Sequence, residues 1–227
     1  ATPLPRNLGR LLKTTNAPVL MVKTEGAFSF DPLYNGLQKR RVKVSADVSL
    51  LFSRQEIDAL SCEELEEKLD TAFRFDGFAW QRDHRIEITE PFRADGLERI
   101  LYKCPDCGAE GKTKGEGIRF VCRACGKKYT MDTFGQMRAD DGNTRFPHIP
   151  DWYAWEREEV RRELEDGTYR LDTGVEIRVM VDYRALYHVG EGRLLHTTAG
   201  FVLNGCDGKL HYEQKPLFSY GLYADYF

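Results

Sequence analysis

The chain has 227 residues, 41% of them hydrophobic and 30% charged, with a formal net charge of -3 at pH 7. These are the proportions of a soluble globular protein with one large or two small domains, and nothing in them demands a nucleic-acid partner. No apolar run approaches the roughly 20 residues that span a bilayer, and the N-terminus has no signal-peptide pattern.

The chain opens at Ala1-Thr2-Pro3 and stops at Asp225-Tyr226-Phe227 inside an aromatic, strand-like stretch, so it reads as a piece of something longer. Pro5 followed by Leu8, Leu11 and Leu12 has the i, i+3, i+4 spacing of a short helix with one buried face. Asn16-Ala17-Pro18 ends it. Val19-Leu20-Met21-Val22 is a continuous apolar run of strand length, closed by Lys23-Thr24-Glu25-Gly26. A short helix, a turn and a wholly apolar strand fit a parallel sheet covered on both faces.

Residues 39 to 48 alternate basic or polar side chains with apolar ones, which predicts a strand with one wet face. Its Lys and Arg residues read first as a solvated face; the sharper alternative is a surface for anionic lipid or a substrate phosphate. Ser53 to Glu56 and Ser61 to Glu64 both match the capping box, in which serine and glutamate satisfy orphan amides at a helix start. The second predicts a helix with Leu65, Leu69, Ala72 and Phe73 along one face. In residues 76–103 and just before them, Phe75, Phe78 and Trp80 are core candidates and Arg85-Ile86-Glu87-Ile88 suggests a short strand. Gly96, Leu97, Ile100 and Leu101 lead onward.

Cys104-Pro105-Asp106-Cys107-Gly108 is answered by Cys122-Arg123-Ala124-Cys125-Gly126. Each pair can fold into a tight knuckle whose two thiolates point at one centre, with glycine accepting the positive φ there. Two knuckles supply four soft sulfur ligands, the arrangement of a structural zinc ribbon over residues 104–135. All four positions are then filled, so neither substrate nor activated water can bind the metal. A redox pair or a small iron cluster are the alternatives. Ile118 to Val121 and Lys128 to Met131 read as the ribbon's strands. Residues 103 to 128 hold seven Lys/Arg against three Asp/Glu. A basic ribbon can follow a phosphate backbone, but solubility explains the charge equally well.

Residues 136–167 read as a rigid linker, Phe146-Pro147-His148-Ile149-Pro150-Asp151, and a helix from Trp152 to Glu165 with Asp151 as N-cap. Tyr153, Val160 and Leu164 share a face, and Gly167 stops the helix. His148 beside Asp151 resembles an acid/base pair, against the plainer reading of a linker histidine and a capping aspartate. Residues 168–227 turn to β: Val175, Ile177, Val179 and Val181 alternate with polar neighbours, and Val189 to Arg193 reads as a turn. Asn204 to Gly208 joins two strand-like runs as a hairpin, and Phe218, Tyr220 and Leu222 alternate in a last strand. Repeated hairpins of this kind predict a small antiparallel module, either an open sheet or a pleckstrin-like barrel. Cys62 and Cys206 read as free and reduced, and with a thiolate-rich site this favours the cytoplasm.

Residues 1–75 resemble the C-terminal half of the acyltransferase domain of bacterial 1-acyl-sn-glycerol-3-phosphate acyltransferases. Ala17-Pro18-Val19-Leu20-Met21-Val22 and the closing Gly26 are similar to that family's V-P-I/V-V-P-V strand, with Met21 where its second proline is common. Arg40 to Ala46 stands for its basic strand, and Ser61-Cys62-Glu63-Glu64-Leu65-Glu66-Glu67-Lys68-Leu69 for its closing helix. The ribbon, FPHIPDWYAWERE and LHYEQKPLFSYGLYADY look like an extension carried by one bacterial branch. The resemblance implies an α/β half domain (1–75), a connecting segment (76–103), the ribbon (104–135), the linker and helix (136–167) and the β module (168–227).

It also implies a parent enzyme that moves an acyl chain from acyl-CoA or acyl carrier protein to lysophosphatidate, with peripheral contact at the inner face of the membrane. The family's catalytic H-x-x-x-x-D is missing. His84, His148, His188, His196 and His211 are followed five positions on by Thr89, Tyr153, Arg193, Phe201 and Pro216. The phosphate-binding E-G-T-R block is also absent. No catalytic residue is therefore assigned, and the site residues are Cys104, Cys107, Cys122 and Cys125 for structural Zn2+. The alternative is a non-catalytic zinc-ribbon protein that binds protein, lipid or nucleic acid.

Overall fold

The computed structural model describes residues 4, 5 and 7–216 and divides the chain into two units, residues 1–153 and 154–227. Helices are mixed with antiparallel sheets, in keeping with the α/β expectation. The expected last strand around Phe218, Tyr220 and Leu222 lies outside the described residues.

In the first unit, helix α1 (Leu8–Thr15) ends at Asn16, which takes the left-handed conformation and donates its N–H to Leu12 O. Helices α3 (Arg54–Ala59) and α4 (Cys62–Ala72) begin with the two expected capping boxes, each complete in both directions. Their apolar faces meet α1: Ile57, Leu65 and Leu69 are buried with Phe52, and Leu4, Leu8, Leu12, Val19, Leu51 and Leu60 pack around them. Gly9 makes the close approach of α1 to α4 feasible, because a Cβ there would stand 2.2 Å from Cys62 O. Phe73, expected on the core face, is half exposed. It follows the last helical residue and takes the C-cap, where the helical face no longer aims it inward.

Strand β1 (Val19–Glu25) pairs only with β2 (Ser45–Phe52), and antiparallel, among the described residues. The expected parallel sheet covered on both faces is not present there. Leu20 stands opposite Leu50 and Val22 opposite Val48, and all four are exposed. The basic strand expected at residues 39–48 also moves: β2 starts at Ser45, and Lys39 to Val44 carry no regular structure. The alternation survives in burial only as far as Lys43, with Arg40 and Val42 inside and Lys39, Arg41 and Lys43 outside, because Val44 is exposed as well. A side-chain network holds this irregular segment. Arg40 Nη2 donates to Tyr34 Oη, Asn35 Oδ1 and Arg93 O, and Asn35 donates to Phe92 O and Asp95 O.

Between these elements α2 (Ala27–Phe30) is one short turn, and α5 (Gly77–Asp83) is capped by Asp76. Arg85 to Ile88 is not a strand. Ile88 is buried, and its N–H donates to Thr133 O outside any strand ladder. The ribbon sheet has four strands, β3 (Thr113–Glu116), β4 (Arg119–Cys122), β5 (Lys128–Met131) and β6 (Met137–Ala139), in sequence order and antiparallel. β4 and β5 match the expected ribbon strands, shifted by at most a residue. Gly115 lets β3 pack closely against the turn at residues 91–96, since a Cβ would lie 2.0 Å from Ala94 O.

Helix α6 (Ile149–Glu165) starts three residues before the expected position, so Asp151 sits in its first turn rather than at its cap. Pro147 O takes the N–H of Met137, which draws the linker onto β6. The buried residues of α6 include Ile149, Trp152 and Glu156, while Tyr153 and Leu164 are exposed, so the expected apolar face is off by about a third of a turn. Gly167, at φ 70°, ends the helix as expected.

The second unit adds a four-stranded meander of β7 (Arg170–Val181), β8 (Ala185–Thr197), β9 (Gly200–Gly205) and β10 (Leu210–Gln214). The hairpin around Asn204 to Gly208 forms as read. The turn expected at Val189 to Arg193 does not: these residues run inside β8, and the turn falls at Asp182 to Arg184. The glycines serve packing instead. A Cβ on Gly192 or Gly205 would meet the Ile177 side chain at 2.7 or 2.4 Å, so the two form a floor beneath that buried residue.

Candidate metal centre

The two knuckles bring Cys104, Cys107, Cys122 and Cys125 together, their Sγ atoms all within 4.8 Å of one another. Backbone bonds shape each knuckle in the same way: Gly108 N–H donates to Cys104 O and Gly126 N–H to Cys122 O, both at 2.9 Å. Gly108 and Gly126 stand at φ 72° and 77°, which an L side chain rarely adopts. Cys104 Sγ lies 3.8 Å from Cys125 Sγ, and Cys107 Sγ 3.8 Å from Cys122 Sγ. A tetrahedron with metal–sulfur bonds of about 2.3 Å has edges of about 3.8 Å. The chemistry of the donor set and its spacing therefore fit a four-thiolate metal site.

The first cysteine of each pair is buried and the second exposed. Burial pushes the Cys104 thiol above its ordinary range, although N–H groups of Cys107 and Asp106 pull the other way. At Cys122 burial also opposes ionisation, but the N–H groups of Cys125 and Ala124 and the neighbouring thiols outweigh it and lower the pKa. Backbone N–H donors aimed at sulfur are what a bound thiolate requires.

The ribbon is anchored from behind by aromatic packing. Trp152 is wholly buried, lies edge-on to Phe120 and Tyr129 with centroids 5.6 and 5.2 Å away, and donates Nε1–H to Lys103 O at 3.0 Å. Tyr129 Oη donates to Asp106 inside the first knuckle. Burial, followed by that carboxylate, pushes the phenol upward. The ribbon's positive charge is largely answered within the fold. Lys103 pairs with Glu110, Lys114 with Glu98, Arg119 with Asp140, and Lys127 with Asp106 and Asp141. Lys112, Arg123 and Lys128 have no ion pair among the described residues.

The histidines do not build a second centre. His148 is not paired with Asp151. Its Nε2 lies 2.7 Å from Asp76 Oδ2, while Asp76 Oδ1 accepts from Phe78 and Ala79 N–H. Burial opposes ionisation of Asp76, but the Ala79 amide and His148 outweigh it and hold the carboxyl below its usual range. Gln136 Nε2 lies 3.5 Å from the other ring nitrogen of His148, so this aspartate–histidine pair is flanked by an amide and meets no nucleophile. His84 contacts Trp80 O, His188 Glu176, His196 Tyr169 and His211 Asn204. Cys62 and Cys206 are free. No described helix is long and apolar enough to cross a membrane.

Composition and spacing were enough to identify the four cysteines. The aspartate–histidine pair was missed because its members lie 72 residues apart; the one local signal was Asp76 ahead of Gly77-Phe78-Ala79, a capping position. Compared with models of known protein families, the chain matches none. No curated protein and no solved structure matches it either.

Proposed function

We propose that Cys104, Cys107, Cys122 and Cys125 hold one Zn2+ as a structural clamp, within the C-terminal portion of a phospholipid-synthesis acyltransferase. The observation that carries the metal assignment is the set of four sulfurs all within 4.8 Å of one another, two of the edges measuring 3.8 Å. Four protein ligands leave no open position, so the metal serves folding and not substrate activation. The segment is too small to supply its own core, and metal binding then contributes folding energy directly.

The acyltransferase reading rests on the resemblance of residues 17–26 and 61–69 together with the ribbon and its extension. The exposed face of Leu20, Val22, Val48 and Leu50 supports it, because contiguous exposed apolar side chains mark a surface that is covered in the working protein. On this reading the acyl chain passes from a thioester carrier to lysophosphatidate at a histidine and aspartate outside the present residues. On the same reading the exposed Lys39, Arg41 and Lys43 meet anionic lipid at the inner membrane face.

Two measurements separate the parts of this proposal. Mass-spectrometric metal analysis of protein purified without chelator should find about one zinc per chain. Finding no metal, with all four thiols reactive, would remove the clamp, and finding iron would change its identity. The coding sequence upstream of Ala1 should carry H-x-x-x-x-D within about one domain length. Its absence there would sink the acyltransferase reading and leave a zinc-ribbon binding protein.

A further inference from the structure

Outside the four sulfurs, one charged group joins both knuckles. Lys127 follows the second knuckle directly, yet its Nζ reaches Asp106, inside the first knuckle, at 3.3 Å. The same ammonium lies 3.0 and 2.8 Å from the two Asp141 oxygens and 2.9 Å from Asn143 O. Its side chain is only 12% exposed, unusual for a group whose flexible stem is normally in water. Asp106 is held from its other oxygen by Tyr129 Oη, and Arg145 Nη1 donates to Pro105 O at 2.9 Å. The loop after β6 thus grips the first knuckle through Arg145, and both knuckles through Lys127.

Resting on the metal reading above, we propose that Lys127, with Asp106 and Asp141, is a positioning brace that keeps the two thiolate pairs closed on the metal and slows its release. Two physical effects support this role. A divalent cation with four thiolates carries two net negative charges, and an ammonium held against Asp106 of the first knuckle offsets part of them. For metal to leave, one knuckle must swing away from the other, and that motion breaks the Asp106–Lys127 contact. Groups one shell outside metal ligands typically change affinity by about 10–100-fold. Neither Lys128 nor Lys112, both exposed and without an ion pair, is placed to act in this way.

The test is the rate at which zinc-loaded protein gives up metal to a colorimetric chelator, for the parent chain and for Lys127→Met, Asp141→Asn and Lys128→Met. Lys127→Met is expected to release zinc at least 10-fold faster and Asp141→Asn severalfold faster, with Lys128→Met unchanged. Substituted cobalt should still show the intense thiolate-to-metal charge-transfer band in every variant, and far-UV dichroism should not change. Parent-like release from Lys127→Met and Asp141→Asn, with one metal bound, would overturn the brace while leaving the metal site intact. A parent chain that binds neither zinc nor cobalt would overturn the site itself. Should Lys127→Met fail to fold, Asp141→Asn, which lies outside both knuckles, decides the matter alone.

Discussion

Replacing Trp152 by phenylalanine tests how the ribbon is held to its support. Trp152 is wholly buried, and its Nε1–H is donated to the carbonyl of Lys103, the residue immediately before Cys104. Phenylalanine keeps most of the edge-on contacts to Phe120 and Tyr129 but has no donor. Depriving a buried carbonyl of this bond costs about 1–3 kcal/mol. The volume of the lost ring adds about 1 kcal/mol, a fraction of the 3–5 kcal/mol seen for full truncation of large aromatic residues. The sum is about 2–4 kcal/mol. With a urea dependence of about 2 kcal/mol per molar, the unfolding midpoint should fall by about 1–2 M. The assay is equilibrium unfolding of metal-loaded protein, followed both by far-UV dichroism and by metal release to a chelating dye. Both signals should shift together. A loss below 0.5 kcal/mol, or a dichroism shift without earlier metal release, would refute the idea that this indole supports the first knuckle.

Gly115→Ala should destabilise the first unit by about 1–3 kcal/mol in the same assay, because the new Cβ would lie 2.0 Å from Ala94 O. Gly142→Ala, with nothing within 4 Å and only its positive φ to disturb, should cost less. Asp76→Asn should lower stability by on the order of 1–2 kcal/mol at pH 7, since it keeps a capping oxygen but loses the charge toward His148. The folded carboxyl has a depressed pKa, so its contribution is present above the unfolded value of about 3.9 and is lost as pH falls through the lower folded one. Melting temperatures of parent and variant should therefore converge as pH drops below about 4. A gap that stays constant down to pH 2 would dissociate Asp76 ionisation from stability.

Local chemistry made several elements legible. A capping box needs only Ser and Glu three residues apart on one backbone, and both boxes form. The helix stop at Gly167 depends on a residue that accepts positive φ by itself, and the hairpin signal at Asn204 to Gly208 holds although its turn also puts Cys206 and Asp207 at positive φ. Periodicity was less reliable. Residues 39–43 alternate in burial as a strand would, yet among the described residues no partner strand pairs with them, and the Arg40 network holds them instead.

The four clustered cysteines were visible from spacing alone, because two C-x-x-C-G knuckles bring their sulfurs to one point. The sequence by itself also determined the donor set of this candidate site, four thiols and no other ligand type. Only the tertiary structure decided what supports it. Trp152 meets Lys103 across 49 residues, and Asp141 reaches Lys127 across 14. Such contacts depend on where the chain returns, and no local pattern of charge or apolarity encodes that. The same holds for the exposed Leu20, Val22, Val48 and Leu50. An apolar run reveals a strand, but which of its faces is covered is set by the neighbours that the fold places beside it.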